Sequence, residues 1–174
     1  MIIKSYETEK IKNINTNLIL LYGENAGFKN EIFDDFFVKD FKGEIERLEE
    51  NDVLNNFDQF FTNLINKSFF TEKKIILISR STDKIIKLVD SFLEKNVDDT
   101  KIVLNANILE KKSKLRSKFE KEKNLVCIPF YKDDNKVLNQ IANKFFRNNK
   151  ISVSQEIINL IVERTSGDRI NLKN

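Results

Sequence analysis

Apolar residues in this chain occur either in short continuous runs or at a spacing of three to four positions. The short runs predict buried strands of a parallel sheet, and the wider spacing predicts amphipathic helices. The predicted strands are 18–22, 44–48, 73–79, 101–105 and 125–129, the second of which rests on Ile45 and Leu48 alone. Because strands alternate with helices, the pattern predicts an α/β fold with a parallel five-stranded sheet flanked by helices.

Each interval between these strands contains a helical pattern. The first of these helices places four apolar residues on one stripe, Ile32, Phe33, Phe36 and Phe37. The second is expected to be capped by Asn51 or Asp52, and the third by Ser81 or Thr82. The fourth is a charged surface helix over 110–123, anchored by Leu115 and Phe119. The first 17 residues fit a short strand or a short helix.

After the last strand the pattern is purely helical. The polar stretch 131–135 predicts a boundary between an α/β domain, residues 1–133, and a small helical domain, residues 134–174. The inward positions are expected to be Val137, Ile141 and Phe145 on one helix, and Ile157, Ile158, Ile161 and Val162 on a second that begins near Ser154 and stops at Gly167. Asp168 is placed to cap a third helix of less than two turns, which is too short to be stable alone, so we expect the sequence to be cut from a longer protein.

The composition of the chain excludes several classes of function. The chain has no histidine, which excludes a serine-histidine-acid triad, histidine acid-base catalysis and the usual zinc sites. No run is long enough for a membrane span, and the first residues lack the charged-then-apolar pattern of a secretion signal, so a soluble, cytoplasmic protein is expected. The single cysteine, Cys127, cannot form an internal disulfide and is predicted to be a small buried hydrophobe. The net charge of +3 gives no strong basic excess to the chain as a whole.

The segment 18–30, LILLYGENAGFKN, has the outline of a phosphate-binding loop between a strand and a helix. The pattern G-x-x-x-x-G-K-[ST] provides backbone N–H groups for phosphate and a hydroxyl for magnesium. Counted from Gly23, the lysine is present as Lys29, but Phe28 occupies the glycine position and Asn30 the hydroxyl position; Gly27 lies one residue before Phe28. The sequence therefore predicts a degenerate loop.

Three other predicted strands should end beside this loop, and none of them ends in a carboxylate that could hold magnesium. They end in Ser79-Arg80, in Asn105-Ala106-Asn107 and in Pro129-Phe130. The loop lacks its second glycine and its hydroxyl, and the strand ends lack a carboxylate for magnesium. We therefore expect no catalytic residue, no metal site and no cofactor. Residual nucleotide binding through Lys29 and the backbone stays open.

Two further segments carry candidate chemistry. Ser68, Phe69 and Phe70, preceded by Lys67, lie between an amphipathic helix and a strand, where the aromatic pair either completes the core or protrudes as a hydrophobic plug for a partner. The second segment is a basic run that contains Lys111, Lys112, Lys114, Arg116 and Lys118. It fits a solvated helix face or a contact with a phosphate backbone, and its lack of aromatic residues argues against base stacking.

Taken together, these residues resemble the N-terminal part of the delta subunit of bacterial DNA polymerase III, a clamp-loader subunit. The similar stretches are LILLYGE at 18–24, KSFF and KKIILI within 67–78, LEKKSKL at 109–115 and SGDRINL at 166–172. They cover nearly the whole chain in the family's order. The family often has leucine where Phe69 stands.

The resemblance implies an AAA+ type first domain, a helical lid and a missing third domain. It implies a subunit that binds and helps open the sliding clamp, the beta subunit, without hydrolysing ATP, with Phe69 and Phe70 as the clamp-binding pair beside Lys67 and Ser68. It further implies assembly with the delta prime and gamma/tau subunits through the missing domain, DNA contact that is indirect or weak, and no membrane partner. Two alternatives remain, a P-loop NTPase or kinase with an atypical loop and a nucleic-acid-binding module.

Overall fold

The computed structural model describes residues 1–65, 73–95, 97, 99–165 and 168–173. Its strands are β1 (Leu18–Gly23), β2 (Glu44–Glu49), β3 (Lys74–Ser79), β4 (Thr100–Ala106) and β5 (Val126–Phe130). All pair in parallel in the order β2-β3-β4-β1-β5, so the predicted five-stranded parallel sheet is confirmed. The central strand β1 is buried from Leu18 to Tyr22, as its continuous apolar run predicts.

The helices of the described residues are α1 (Thr8–Lys12), α2 (Ala26–Phe33), α3 (Glu50–Asn55), α4 (Phe57–Ile65), α5 (Ile86–Lys95), α6 (Lys114–Lys121), α7 (Asn135–Asn148), α8 (Gln155–Arg164) and α9 (Arg169–Lys173). A π-helical turn, Asp34–Val38, follows α2, and a 3₁₀ turn, Asp83–Ile85, precedes α5. The first 17 residues, for which the sequence fits either a short strand or a short helix, contain the helix α1 and a single β-bridge from Ile2 to Cys127.

The sheet has a hydrophobic core on each face. Leu20 and Ile78 face a core that includes Leu88 from α5 and Phe119 from α6, whereas Ile19 packs with residues of α1 and α2. A third, smaller core joins α7 and α8. Within the described ranges, no helix has both the length and the apolar character required to cross a bilayer.

The single helix expected after β2 is two helices, and its predicted cap is wrong. Glu49 caps α3 in place of Asn51 or Asp52, because the Glu49 N–H donates to Asp52 Oδ2 over 3.1 Å while the Glu49 side chain accepts from the backbone of Asp52. This reciprocal pair is a capping box. The backbone then leaves the helical region at Asn56, which separates α3 from α4.

The charged helix expected over 110–123 is shorter, beginning at Lys114. Ser113 caps α6, since its Oγ accepts from Arg116 N at 3.2 Å. Asp83 supports this cap, because its carboxylate accepts hydrogen bonds from Ser113 Oγ at 2.6 Å and from Leu115 N at 2.9 Å. These bonds satisfy donors of the first turn and lower the pKa of Asp83. Leu115 and Phe119 are fully buried, so α6 is an integral layer of the domain.

The buried row of α7 is shifted by one position along the chain from the predicted row of Val137, Ile141 and Phe145. Leu138 and Ala142 are buried, with Phe146 packed beside them, whereas Phe145 is 53% exposed. On α8, Ile158 and Val162 are buried as expected, but Ile157 is 48% exposed. Both helices carry two adjacent apolar rows, and contact between α7 and α8 determines which row is buried.

Cys127 is buried, as predicted, and burial raises the pKa of its thiol to about 11. A thiol with so high a pKa carries little thiolate near neutral pH, which agrees with a structural role. Further along the chain, α8 begins at Gln155 with Ser154 as its cap, which confirms the predicted start near Ser154. Asp168 Oδ1 accepts from Ile170 N at the start of α9. α8 ends at Arg164, before the predicted stop at Gly167, and Gly167 lies outside the described residues.

Candidate functional site: a degenerate phosphate loop closed by the helical region

The turn after β1 is fixed by Gly23. Its φ is +127°, and an added Cβ would lie 2.1 Å from the carbonyl oxygen of Phe130, so a side chain cannot be accommodated without moving β5. The Gly23 N–H donates to Asn107 O over 3.0 Å. The turn is thus tied to the ends of both neighbouring strands.

The start of α2 is capped by the protein itself. Asn25 Oδ1 accepts from Phe28 N at 3.0 Å, and Asn25 N donates to Phe130 O over 3.5 Å. In a working phosphate loop, the backbone N–H groups at this position point at the anion. Here the N–H groups of Gly23, Asn25 and Phe28 already have protein acceptors.

Lys29 is directed into the sheet. It is 2% exposed, and its Nζ donates to Ala106 O at the end of β4 over 2.6 Å. Burial lowers the pKa of this amine to about 8. The lysine that would hold a phosphate in an intact loop therefore binds the last carbonyl of a strand.

Phe28 fills the position of the missing glycine. Its ring packs edge-on against Phe130 with centroids 5.3 Å apart, and the guanidinium of Arg169 lies 3.9 Å from its centroid. Asn30, at the hydroxyl position, is exposed.

Arg169, the first residue of α9, joins the helical region to the loop. It makes a bidentate pair with Asp133, Nη2 to Oδ1 at 2.6 Å and Nε to Oδ2 at 2.8 Å, and its Nη1 donates to Glu31 Oε2 at 2.8 Å. Asn25 Nδ2 donates to the same Asp133 Oδ2 over 2.9 Å. We call Arg169, Asp133, Glu31 and Asn25 the Arg169 clasp.

The clasp is almost dry, since the Arg169 and Asp133 side chains are each 7% exposed. Burial disfavours the charge on Arg169, but the hydrogen bonds to Asp133 and Glu31 outweigh this effect and raise its pKa. The planar fork of arginine matches a carboxylate as it would match a phosphate. Protein carboxylates thus bind the arginine at the mouth of the loop.

Gly27 allows the close approach of α9. An added Cβ there would lie 3.0 Å from Ile170 Cγ1 and 3.2 Å from Arg169 Cβ. The glycine that lies one position before its place in the intact pattern therefore serves packing between helices.

The ends of the other strands at this side of the sheet match the sequence prediction. β4 and β5, which flank β1, end at Ala106 and Phe130, and β3, on the far side of β4, ends at Ser79. Among the residues that the structure describes, no group of three or more cysteine, aspartate and glutamate side chains is placed to hold a metal ion. Two clefts, of about 1010 and 470 Å³, lie at the amino ends of the strands, near Leu18 and Thr100, away from the loop.

Three cations of the predicted DNA-contact run are engaged within the protein. Arg116 pairs with Glu120 at 2.8 Å, Lys118 with Asp90 at 2.8 Å, and Lys112 with Glu110 at 2.9 Å. Within the described ranges, this leaves Lys111 and Lys114 exposed and without a carboxylate within 4 Å.

The predicted clamp-binding residues Lys67, Ser68, Phe69 and Phe70 lie in segment 66–72, outside the described residues. In the sequence this segment lies between α4 and β3. The amino end of β3 lies at the side of the sheet opposite the degenerate loop, which follows the carboxyl end of β1.

The loop residues are predictable from the sequence, but the clasp is not. Arg169 stands in the SGDRINL stretch, which is the only local signal for it, while Asp133 belongs to the polar stretch expected to be a linker. Asp134, the next residue, caps α7 through Val137 N at 2.8 Å. The division at residues 133 and 134 stays a prediction, and the clasp spans it.

The sequence matches no family model and no curated protein. The structure is similar to the Bacillus subtilis DNA clamp loader delta protein YqeN, with a TM-score of 0.57 and 16% identity over 97% of this chain and 54% of that one. It is also similar to domain III of the Thermotoga maritima replication initiation protein DnaA, with a TM-score of 0.59 and 14% identity over 97% of this chain and 78% of that one.

A third similar structure is the Thermotoga maritima RuvB Holliday junction branch migration motor, with a TM-score of 0.59 and 16% identity over 97% of this chain and 56% of that one. The chain thus spans about half the length of the clamp loader delta protein. At these identities the likeness concerns the fold alone, a parallel five-stranded sheet flanked by helices.

Proposed function

We propose that this chain is a clamp-loader subunit of the DNA polymerase III holoenzyme that binds and helps open the sliding clamp in the cytoplasm without hydrolysing ATP. The AAA+ fold and its likeness to a clamp loader delta protein support this assignment. The delta-like stretches of the sequence, which occur through most of the chain, are the reason for assigning it to the delta subunit in particular.

One observation carries the proposal: both cations at the loop are already bound to protein oxygens. Lys29 donates to Ala106 O, and Arg169 is paired with Asp133 and Glu31. A nucleotide would have to displace these bonds, and a displaced Asp133 would be left as a buried, unpaired charge. The scaffold is therefore better suited to hold a binding surface than to turn over ATP.

Clamp opening then follows from differential binding. A subunit that fits one protomer of an opened ring better than one of a closed ring shifts the ring towards opening by that difference in affinity. In this proposal Phe69 and Phe70, beside Lys67 and Ser68, enter a pocket of the clamp. The delta prime and gamma/tau subunits would join through further sequence, and ATP would act in those subunits.

A titration of the chain with a fluorescent ATP analogue and magnesium tests the proposal against an atypical P-loop NTPase or kinase. We expect no saturable binding in the micromolar range, because the N–H groups of Gly23, Asn25 and Phe28 and the amine of Lys29 have protein acceptors. Saturable micromolar binding that is lost in Lys29→Met would contradict the proposal, whereas a signal that persists in Lys29→Met would be unrelated to the loop.

A further inference from the structure

The charges of the chain are divided unequally between its two parts. Residues 1–133 carry 23 basic and 23 acidic side chains, whereas residues 134–174 carry seven basic and four acidic ones. The first part is therefore neutral, and the second carries +3. A local excess of this kind favours an anionic partner even where the whole chain is nearly balanced.

Much of this excess lies on one face of α7. With 100° between successive residues, Lys136, Gln140, Lys144 and Arg147 fall within a stripe about 80° wide, on the side of the helix opposite Leu138 and Ala142. All four side chains are exposed. We call them the α7 basic face.

The three cations of this face have no internal partner within the described part of the chain. Lys136, Lys144 and Arg147 have no carboxylate within 4 Å, unlike Arg116 and Lys118 of α6. Burial of Leu138 and Ala142 against α8 fixes the orientation of α7, so the stripe faces solvent. The charges are therefore both uncompensated and held on a rigid element.

The chemistry of the stripe fits a phosphate backbone. From the helical rise, Lys136 and Lys144 are about 12 Å apart along the axis, and Lys144 and Arg147 about 4.5 Å. Gln140 lies between the two lysines and adds an amide, which is a common hydrogen-bonding group for phosphate and sugar oxygens. A protein partner would require an apolar centre, and a single strand would require an aromatic platform, but the stripe contains neither.

We propose that the α7 basic face binds the phosphate backbone of duplex DNA without sequence preference. This contact differs from the basic run at Lys111 to Lys118, whose charges are largely paired within the protein. It also does not depend on clamp binding, since no residue of the segment 66–72 takes part in it.

Fluorescence anisotropy of the 174-residue chain with a short DNA duplex at several salt concentrations tests this inference. Three phosphate contacts give a slope of about −2.7 in log K against log salt, or about a 40-fold loss of affinity between about 50 and 200 mM. The triple variant Lys136→Gln, Lys144→Gln, Arg147→Gln should remove most of this slope, and Lys144→Gln alone should reduce it by about 0.9.

The matched control is Lys111→Gln, Lys112→Gln, Lys114→Gln, which removes the same charge from the other basic segment. It should keep the slope of the unmodified chain. The proposal is overturned if the chain does not bind the duplex at low salt, if the control loses as much slope as the α7 variant, or if a single strand of equal length binds as tightly. The single substitution at Lys144 serves if the triple variant does not fold.

Discussion

Phe69→Ala combined with Phe70→Ala is expected to lower the affinity of the chain for its sliding clamp by about 10² to 10⁴-fold. Burial of one phenylalanine in a partner contributes about 1.5 to 3 kcal/mol, and two such losses correspond to that range. Isothermal titration calorimetry of the double variant and the unmodified chain against the clamp measures the change.

The same variant also tests whether the pair belongs to the core. A clamp-binding pair should leave the melting temperature nearly unchanged, whereas loss of two core phenylalanines would cost several kcal/mol of stability. Phe145→Ala, which truncates a phenylalanine exposed on α7, is the matched control and should keep full clamp affinity. Unchanged clamp affinity in the double variant would remove Phe69 and Phe70 from the proposed site.

Arg169→Ala is expected to lower the free energy of unfolding by about 3 to 5 kcal/mol, because it leaves the buried Asp133 carboxylate without its cation. Denaturation in urea measures this loss. Arg169→Lys should recover only part of it, since an ammonium cannot reproduce the bidentate pair with Asp133 and the bond to Glu31 together.

Arg164→Ala provides the control for this loss. Arg164 is an exposed arginine of α8, and its truncation should change the free energy of unfolding by less than about 0.5 kcal/mol. An equally small change for Arg169→Ala would show that the clasp does not hold the helical region against the loop.

The sheet could be predicted from the sequence because its strands are nearly continuous apolar runs. Leu18 to Tyr22 and Ile75 to Ile78 are buried on both faces of the sheet, and few other structures accommodate such runs between polar segments. The inward face of α7 could not be predicted in the same way. Its rows at Ile141 and Ala142 are both apolar and only about 100° apart, so the contact with α8 decides between them.

The degenerate loop was predictable because its pattern is local, running from Gly23 to Asn30. The clasp was not, since Asp133 and Arg169 are 36 positions apart and a charged residue in a polar stretch usually faces solvent. The support of the α6 cap also depends on a distant residue, since Asp83, 30 positions before Ser113, accepts from the Ser113 hydroxyl. Contacts of this kind depend on how the elements pack, which the order of residues along one helix or strand does not reveal.

In the proposed function, this α/β module acts by binding a partner and does not respond to nucleotide at its own loop. Calorimetric titration of the chain with its sliding clamp, performed without nucleotide and again with saturating magnesium-ATP, tests it most directly. We expect saturable clamp binding with the same dissociation constant in both titrations. Absence of clamp binding, or a severalfold change in affinity when nucleotide is present, would contradict the account, because such coupling requires nucleotide to bind the complex.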